Sequence, residues 1–253
     1  LAVAYQPIID MNDGRVIGME ALARWNHPTR GWVSPAEFIP VAEDSGLILT
    51  IGAWVMEQAC QQVRQWHAQF GPLFLAVNVS ARQFRDPELV RKVSEICQRT
   101  HFPFDLLHLE ITESTLVNDA EAAALIMRGL VSLGFRLSLD DFGTGYSSLS
   151  YLKRFPVHKL KIDQSFVKDL PRNADDGAIV KAIVTLGRAL DIKVLAEGIE
   201  TDRQHGVLSA MGCDQGQGYF YSQPLWPRDF ESFVFNRHQM LVAAPASQTS
   251  PKN

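Results

Sequence analysis

The sequence predicts an α/β fold, a modified TIM (β/α)8 barrel with one antiparallel strand, on three observations. About eight strand-like apolar runs alternate with stretches of helical periodicity, the rhythm of a ring of strands covered by helices. The first two runs flank Asp13 and Gly14 with hairpin spacing, which sets one strand against the others. Most runs end in a polar or charged residue, where such barrels build their active sites. With 253 residues, 46% of them hydrophobic, the chain can close one such domain. Its net charge is −4 and its Lys and Arg are scattered, so no basic stripe tracks a nucleic-acid polymer, although a small anionic ligand stays open. Cys60, Cys97 and Cys213 fit buried thiols in a reducing cytoplasm better than a disulfide framework or a zinc site. The most apolar segment, Gly46 to Met56, is about eleven residues long and too short to cross a bilayer. The opening LAVAYQP is no signal peptide, and the missing initiator Met suggests a piece of a longer protein. Residues 1–240 read as the domain and 241–253 as a disordered tail.

Tyr5 to Ile9 and Val16 to Leu22 form the hairpin. Glu20 and Arg24, taken alone, read as a local ion pair. Ser34, Pro35 and Glu37 spell a capping box that opens a helix through Ala42, and Thr50 to Phe70 carries helical spacing, with His67 a solvated residue of its last turn. Phe74 to Val77 is a continuous apolar run ending in Asn78, as expected of a strand buried on both faces. Asp86 and Pro87 cap a helix to about Thr100, Leu107 to Ile111 is a strand carrying Glu110, and Asp119 starts a helix through Leu133. Arg136 to Leu139 is the next strand, ending in the adjacent acids Asp140 and Asp141. Side chains alternate along a strand, so these two reach one small volume only if the backbone turns, which Gly143 and Gly145 permit. A helix near Ser147 to Phe155 precedes HKLKID, where Lys159, Lys161 and Asp163 share one face. A helix over about Asp176 to Leu190 leads to Lys193 to Ala196, followed by Glu197. Thr201 to Met211 is helical, Gly216 to Tyr221 is a last strand carrying Gln217, and Trp226 to Gln239 is the closing helix.

Glu20, Asn78, Glu110, Asp140, Asp141, Lys161, Glu197 and Gln217 thus fall at or near strand ends. Two like charges about 4 Å apart repel by roughly 4 kcal/mol at an effective dielectric of 20, so five acids beside one lysine cannot all stay ionised unaided. Divalent cations resolve this. All-oxygen donors suit Mg2+ or Mn2+, and adjacent aspartates favour a pair of ions that cleaves a phosphoester by in-line attack of water. Lys161 would hold the water and Arg24 would grip a phosphate oxygen. The expectation from the residues is a metal-dependent phosphoester hydrolase.

From Tyr5 to Phe235 the chain also resembles the EAL-domain family of cyclic-di-GMP phosphodiesterases. The motifs are YQPI (Tyr5 to Ile8), EALAR (Glu20 to Arg24), NVS (Asn78 to Ser80), EITES (Glu110 to Ser114), DDFGTGYSSL (Asp140 to Leu149), KID (Lys161 to Asp163), AEGIE (Ala196 to Glu200) and QGY (Gln217 to Tyr219). The resemblance implies a barrel with one antiparallel strand and hydrolysis of cyclic-di-GMP to linear pGpG. It implies one ion on Glu20, Asn78, Glu110 and Asp140, and a second on Asp140 and Asp141 with Glu197 as ligand or base. Lys161 orients the water, and Gln6, Leu22, Arg24, Asp163 and Gln217 contact the dinucleotide. Glu113 and Glu200 stand behind the ligands, Glu113 steadying the DDFGTGYSS loop near a dimer contact. Ca2+ is expected to inhibit. The same likeness implies a homodimer and a cytoplasmic domain fused to upstream sensor or cyclase-type domains, with a membrane-anchored parent left open. The family also contains silent receptors that bind the ligand uncut, but none of the acids, the lysine or the loop is lost here. YFYSQP (Tyr219 to Pro224) departs from the family's wording.

Overall fold

The computed structural model describes residues 1–117, 120–144, 152 and 154–243. Its first strands are β1 (Ala2–Asp10), β2 (Val16–His27) and β3 (Gly31–Val33). Then follow β4 (Phe74–Asn78), β5 (Leu107–Thr112), β6 (Arg136–Phe142), β7 (Lys159–Ile162), β8 (Lys193–Ala196) and β9 (Gln215–Gly216). All but β3 close into one barrel, because β1 pairs with both β2 and β9. β1 runs antiparallel to these two neighbours, and the remaining ring contacts are parallel. The expected (β/α)8 barrel with one reversed strand is therefore present, opened by the hairpin at Gly14 (φ 76°). β3 lies outside the ring, paired only with the far end of β2.

Helices cover the outer face. Val63, Trp66 and Ala59 of the helix Ile48–Phe70 are fully buried, and Trp66 stacks on Phe230 of the closing helix Pro227–Ala243 while Tyr5 of β1 meets its edge. Inside the ring, Ile8, Phe74, Ala76 and Leu195 form a separate apolar plug beneath the polar strand ends. Gly18 makes room for it, since a Cβ there would lie 2.6 Å from the Phe74 ring. The Lys159 ammonium sits 3.9 Å over that ring, and burial pulls its pKa down to about 7.

Several local expectations change. Ser34 caps its helix without a side-chain bond, and Glu37 reaches out to Arg30 instead of back to the cap. Asp86 accepts from the Glu88 amide and from Lys92, so that helix starts at Leu89. His67 is half-buried, its Nε2 on the Leu73 carbonyl. β9 stops at Gly216 because Gly218 turns (φ 154°) and packs directly on Ile199, where any Cβ would lie 2.2 Å from the carbonyl oxygen. The closing helix runs to Ala243, three residues into the tail expected from 241, while Asp119, residues 145–150 with most of the expected helix from Ser147, and residues 244–253 lie outside the described residues.

Candidate active site

Lys161 is the centre of the site. Alternation along β7 aims it into the barrel, where it is 1% exposed, and its Nζ lies 2.6 Å from Glu110, 2.8 Å from Glu197, 3.2 Å from Asp140 and 4.0 Å from Glu20. These carboxylates come from β5, the residue after β8, β6 and β2, so residues far apart in sequence meet because the closed ring of strands brings them to one level inside the barrel. Asp141 joins them through the backbone. Its φ of 53° puts it in the left-handed region, which aspartate tolerates better than most residues. The β6–β7 register slips at the same place, between Leu139 and Phe142. The turn expected at the two acids thus falls on Asp141 itself as well as on Gly143 (φ 101°). Ligand atoms of Asp140, Asp141 and Glu197 all lie within 4.8 Å of one another.

Electrostatics follow from burial. Burial, with Glu20 and Asp140 nearby, pushes Glu110 from an ordinary 4.5 up to about 8 against the pull of Lys161. Burial likewise raises Glu197 well above the usual carboxylate range, and burial with Asp140 and Asp163 raises Asp141. Burial opposes the charge on Lys161, but Glu110, Glu197, Glu20 and Asp140 outweigh it and hold the ammonium well above its ordinary value. One ammonium is too little for this many acids, and Glu110, Asp141 and Glu197 hold their protons more tightly than ordinary carboxyl groups. An acid whose pKa is raised by folding stabilises the fold fully below its unfolded value, and that stabilisation is lost as pH rises through the folded value. The protein in chelator is therefore expected to lose thermal stability between about pH 5 and pH 8. Saturating Mg2+ should remove most of that decline; a melting temperature flat or rising across this window in chelator would refute the charge account.

The donor set fits a hard divalent cation: every donor is oxygen, and Glu110 Oε1 is buried without a hydrogen-bond partner among the described residues. Asn78 donates a hydrogen bond from its amide Nδ2 to Glu20 Oε1 at 2.6 Å, which leaves its carbonyl oxygen to ligate a cation. Above the cluster opens a cavity of about 380 Å³ lined by Gln6, Glu20, Leu22, Asp141, Asp163, Glu197, Glu200 and Gln217. Gln217 ties that wall together by donating to Gln6 (2.9 Å) and Glu20 (2.7 Å). Arg24 and Asn78 line an adjoining cavity of about 490 Å³ that shares Leu22. The local ion pair of Glu20 with Arg24 does not form. Four residues along a strand span roughly 13 Å, and Arg24 instead donates to the Ala23 carbonyl. Glu113 accepts from the Gly143 amide at 3.3 Å, directly behind Asp141. Glu200 is an exposed residue of the cavity rim. Gln164, Gly198 and Tyr219 also line the cavity. None of the three was given a role from the sequence, although Gly198 and Tyr219 lie within the AEGIE and QGY motifs and Gln164 follows KID.

A barrel whose strand ends gather carboxylates around the buried Lys161 under an open cavity has the placement and the oxygen donors of an active site that could hold a cation. The chain belongs to the EAL-domain family, whose model matches residues 1–224. The bifunctional diguanylate cyclase/cyclic di-GMP phosphodiesterase MucR of Pseudomonas aeruginosa is 46% identical over 229 residues, 89% of this chain and 33% of that protein. The cyclic di-GMP phosphodiesterase PdeR of Escherichia coli is 39% identical over 231 residues, 91% of this chain and 35% of that protein. The chain thus spans about a third of the length of these curated relatives. The solved MucR phosphodiesterase in complex with c-di-GMP superposes with a TM-score of 0.88 at 44% identity, covering 90% of this chain and 93% of that one. The EAL domain of Mycobacterium smegmatis DcpA gives 0.78 at 35% identity, covering 93% and 96%.

Proposed function

We propose that this domain hydrolyses cyclic-di-GMP to linear 5'-pGpG with the help of divalent cations. The observation that carries the reading is the Lys161 ammonium set among Glu110, Glu197, Asp140 and Glu20 under a nucleotide-sized cavity, in a chain 44% identical to a phosphodiesterase solved with c-di-GMP. Glu20, Asn78, Glu110 and Asp140 would hold one Mg2+ or Mn2+, and Asp140 and Asp141 with Glu197 a second. When bound, the ions supply the positive charge that acidifies water and stabilises the entering and leaving oxygens. Glu197, at the cavity wall and 2.8 Å from Lys161, takes the proton of the attacking water, and Lys161 orients that water and offsets developing charge. Gln6, Leu22, Asp163 and Gln217 fix the nucleotide, and Arg24, from the adjoining cavity, reaches toward a phosphate oxygen. Glu113 keeps the Gly143 turn, and so Asp141, in place. A homodimer, and a cytoplasmic domain joined to upstream sensor or cyclase-type domains in a parent that is membrane-anchored or free, belong to the same reading; the greater length of the relatives supports only the additional domains.

Incubation with cyclic-di-GMP and Mg2+, followed by chromatography, should yield pGpG; nucleotide recovered uncut would instead support a silent receptor. Ca2+, with its longer and looser coordination, should bind the same oxygens yet support at most a few per cent of the Mg2+ rate, roughly. Full turnover in Ca2+ would refute the requirement for tight geometry.

A further inference from the structure

We propose that Trp32 and Trp226 form a stacking wall for a purine base of the nucleotide whose phosphate lies over the acids, an inference that rests on the preceding reading. Side chains alternate along a strand and cross-strand partners share a face. Along β2, Glu20, Leu22, Arg24 and Asn26 therefore share the inner face, and Glu20 and Leu22 line the cavity. Asn26 pairs with Trp32 on β3, which puts Trp32 on that face. The other tryptophan arrives from the opposite end of the chain. Leu225 and Tyr5 exchange two backbone hydrogen bonds of 2.8 Å. Tyr5 points outward against Trp66 and Phe230, so Leu225 does too. Trp226, the next residue, then lies on the inner side beside Ala4, the partner of Leu22.

The two indoles meet with centroids 5.3 Å apart at 34°, and they are 58% and 40% exposed. Their place along β2, two to six residues beyond Glu20, is roughly 7–20 Å from the acids. Along β2 the half-buried Arg24 comes between Glu20 and Asn26. A flat apolar wall suits the π-face of a base, while the neighbouring Arg24 guanidinium suits the phosphate that the base carries. None of the motifs that carry the family resemblance contains either tryptophan.

Trp32→Ala and Trp226→Ala are each expected to raise KM for cyclic-di-GMP about tenfold, the scale of base–aromatic stacking, with kcat within about twofold. Trp32→Phe and Trp226→Phe should largely restore KM. Competition by GMP should weaken about as much in the alanine variants, while competition by ribose 5-phosphate, which has no base, stays unchanged. Unchanged KM in both alanine variants, in an enzyme that turns over cyclic-di-GMP, overturns the stacking wall alone; so does equal weakening of ribose 5-phosphate. If the wild type fails to cut cyclic-di-GMP, the preceding reading falls, and GMP binding followed by tryptophan fluorescence still decides the wall: quenching absent from the wild type, or kept in the double alanine variant, overturns it. Both side chains are exposed, so their truncation leaves the core intact.

Discussion

Lys161→Met is expected to lower the melting temperature in chelator at pH 8 by about 6–20 °C and to cut turnover by two to four orders of magnitude, roughly. The stability effect follows from what the ammonium touches: it is 2.6, 2.8 and 3.2 Å from three carboxylates and is itself almost wholly buried. Removing one partner of a buried ion pair typically costs about 3–5 kcal/mol, because the other charge is left without compensation. In a domain of this size each kcal/mol is worth about 2–4 °C. The acids can escape part of the cost by taking up protons. The deficit should therefore shrink as pH falls toward 5, below the value of about 8 to which burial raises Glu110, with Glu197 raised in the same direction. Saturating Mg2+ should narrow it as well, since bound cations replace the missing charge. Calorimetry at pH 5 and pH 8, with and without Mg2+, checks all four values. A melting temperature at pH 8 in chelator that matches the wild type would mean that Lys161 is no counter-charge, whatever its part in turnover.

The fold was largely legible because strands and helices leave different periods in the chain, and because Gly14 marks a hairpin before the first parallel strand. The membership of the acid cluster was legible for a related reason: Glu20, Glu110, Asp140 and Glu197 each stand where an apolar run gives out. What the sequence did not disclose is three-dimensional. Glu20 and Arg24 look like partners by spacing, yet an extended strand carries them too far apart, and only the pairing of neighbouring strands hands Glu20 to Asn78 and Gln217. The turn at Asp140 and Asp141 was foreseen, but its seat at Asp141 depends on a register slip against β7 that no local pattern announces. Lys159 and Lys161 share a face and look alike in sequence. One lies over the Phe74 ring and is pushed toward neutrality, while the other is ringed by acids and held charged, because the polar and apolar layers of the barrel lie one above the other. Tyr219 reaches the cavity from a turn and Gln164 from the first position of the helix Gln164–Lys168, placements that hydrophobic periodicity does not encode.

Glu197→Gln should lower kcat for cyclic-di-GMP by roughly a hundred- to ten-thousandfold while changing KM less than about threefold. Glutamine keeps the shape of the side chain and can still fill the space beside Lys161, Asp140 and Asp141, but it cannot accept a proton and carries no charge. Glu197 is placed for proton transfer: it borders the cavity, whereas Glu110 is sealed beneath it. Its raised affinity for a proton comes from burial and from Asp140, Glu20 and Glu110, partly offset by Lys161, and added cations would bring it down. The wild-type kcat/KM should then rise with pH along an acidic limb as this carboxyl group ionises, and the variant should lack that limb. Titration of the variant with Mn2+ separates the two parts that Glu197 can play, since a residue needed only for proton transfer leaves the ion's affinity within a few-fold, whereas a ligand does not. Half of the wild-type rate in the glutamine variant would remove Glu197 from the chemistry altogether, leaving no other carboxylate of the cluster both open to the cavity and in contact with Lys161 at less than 3 Å.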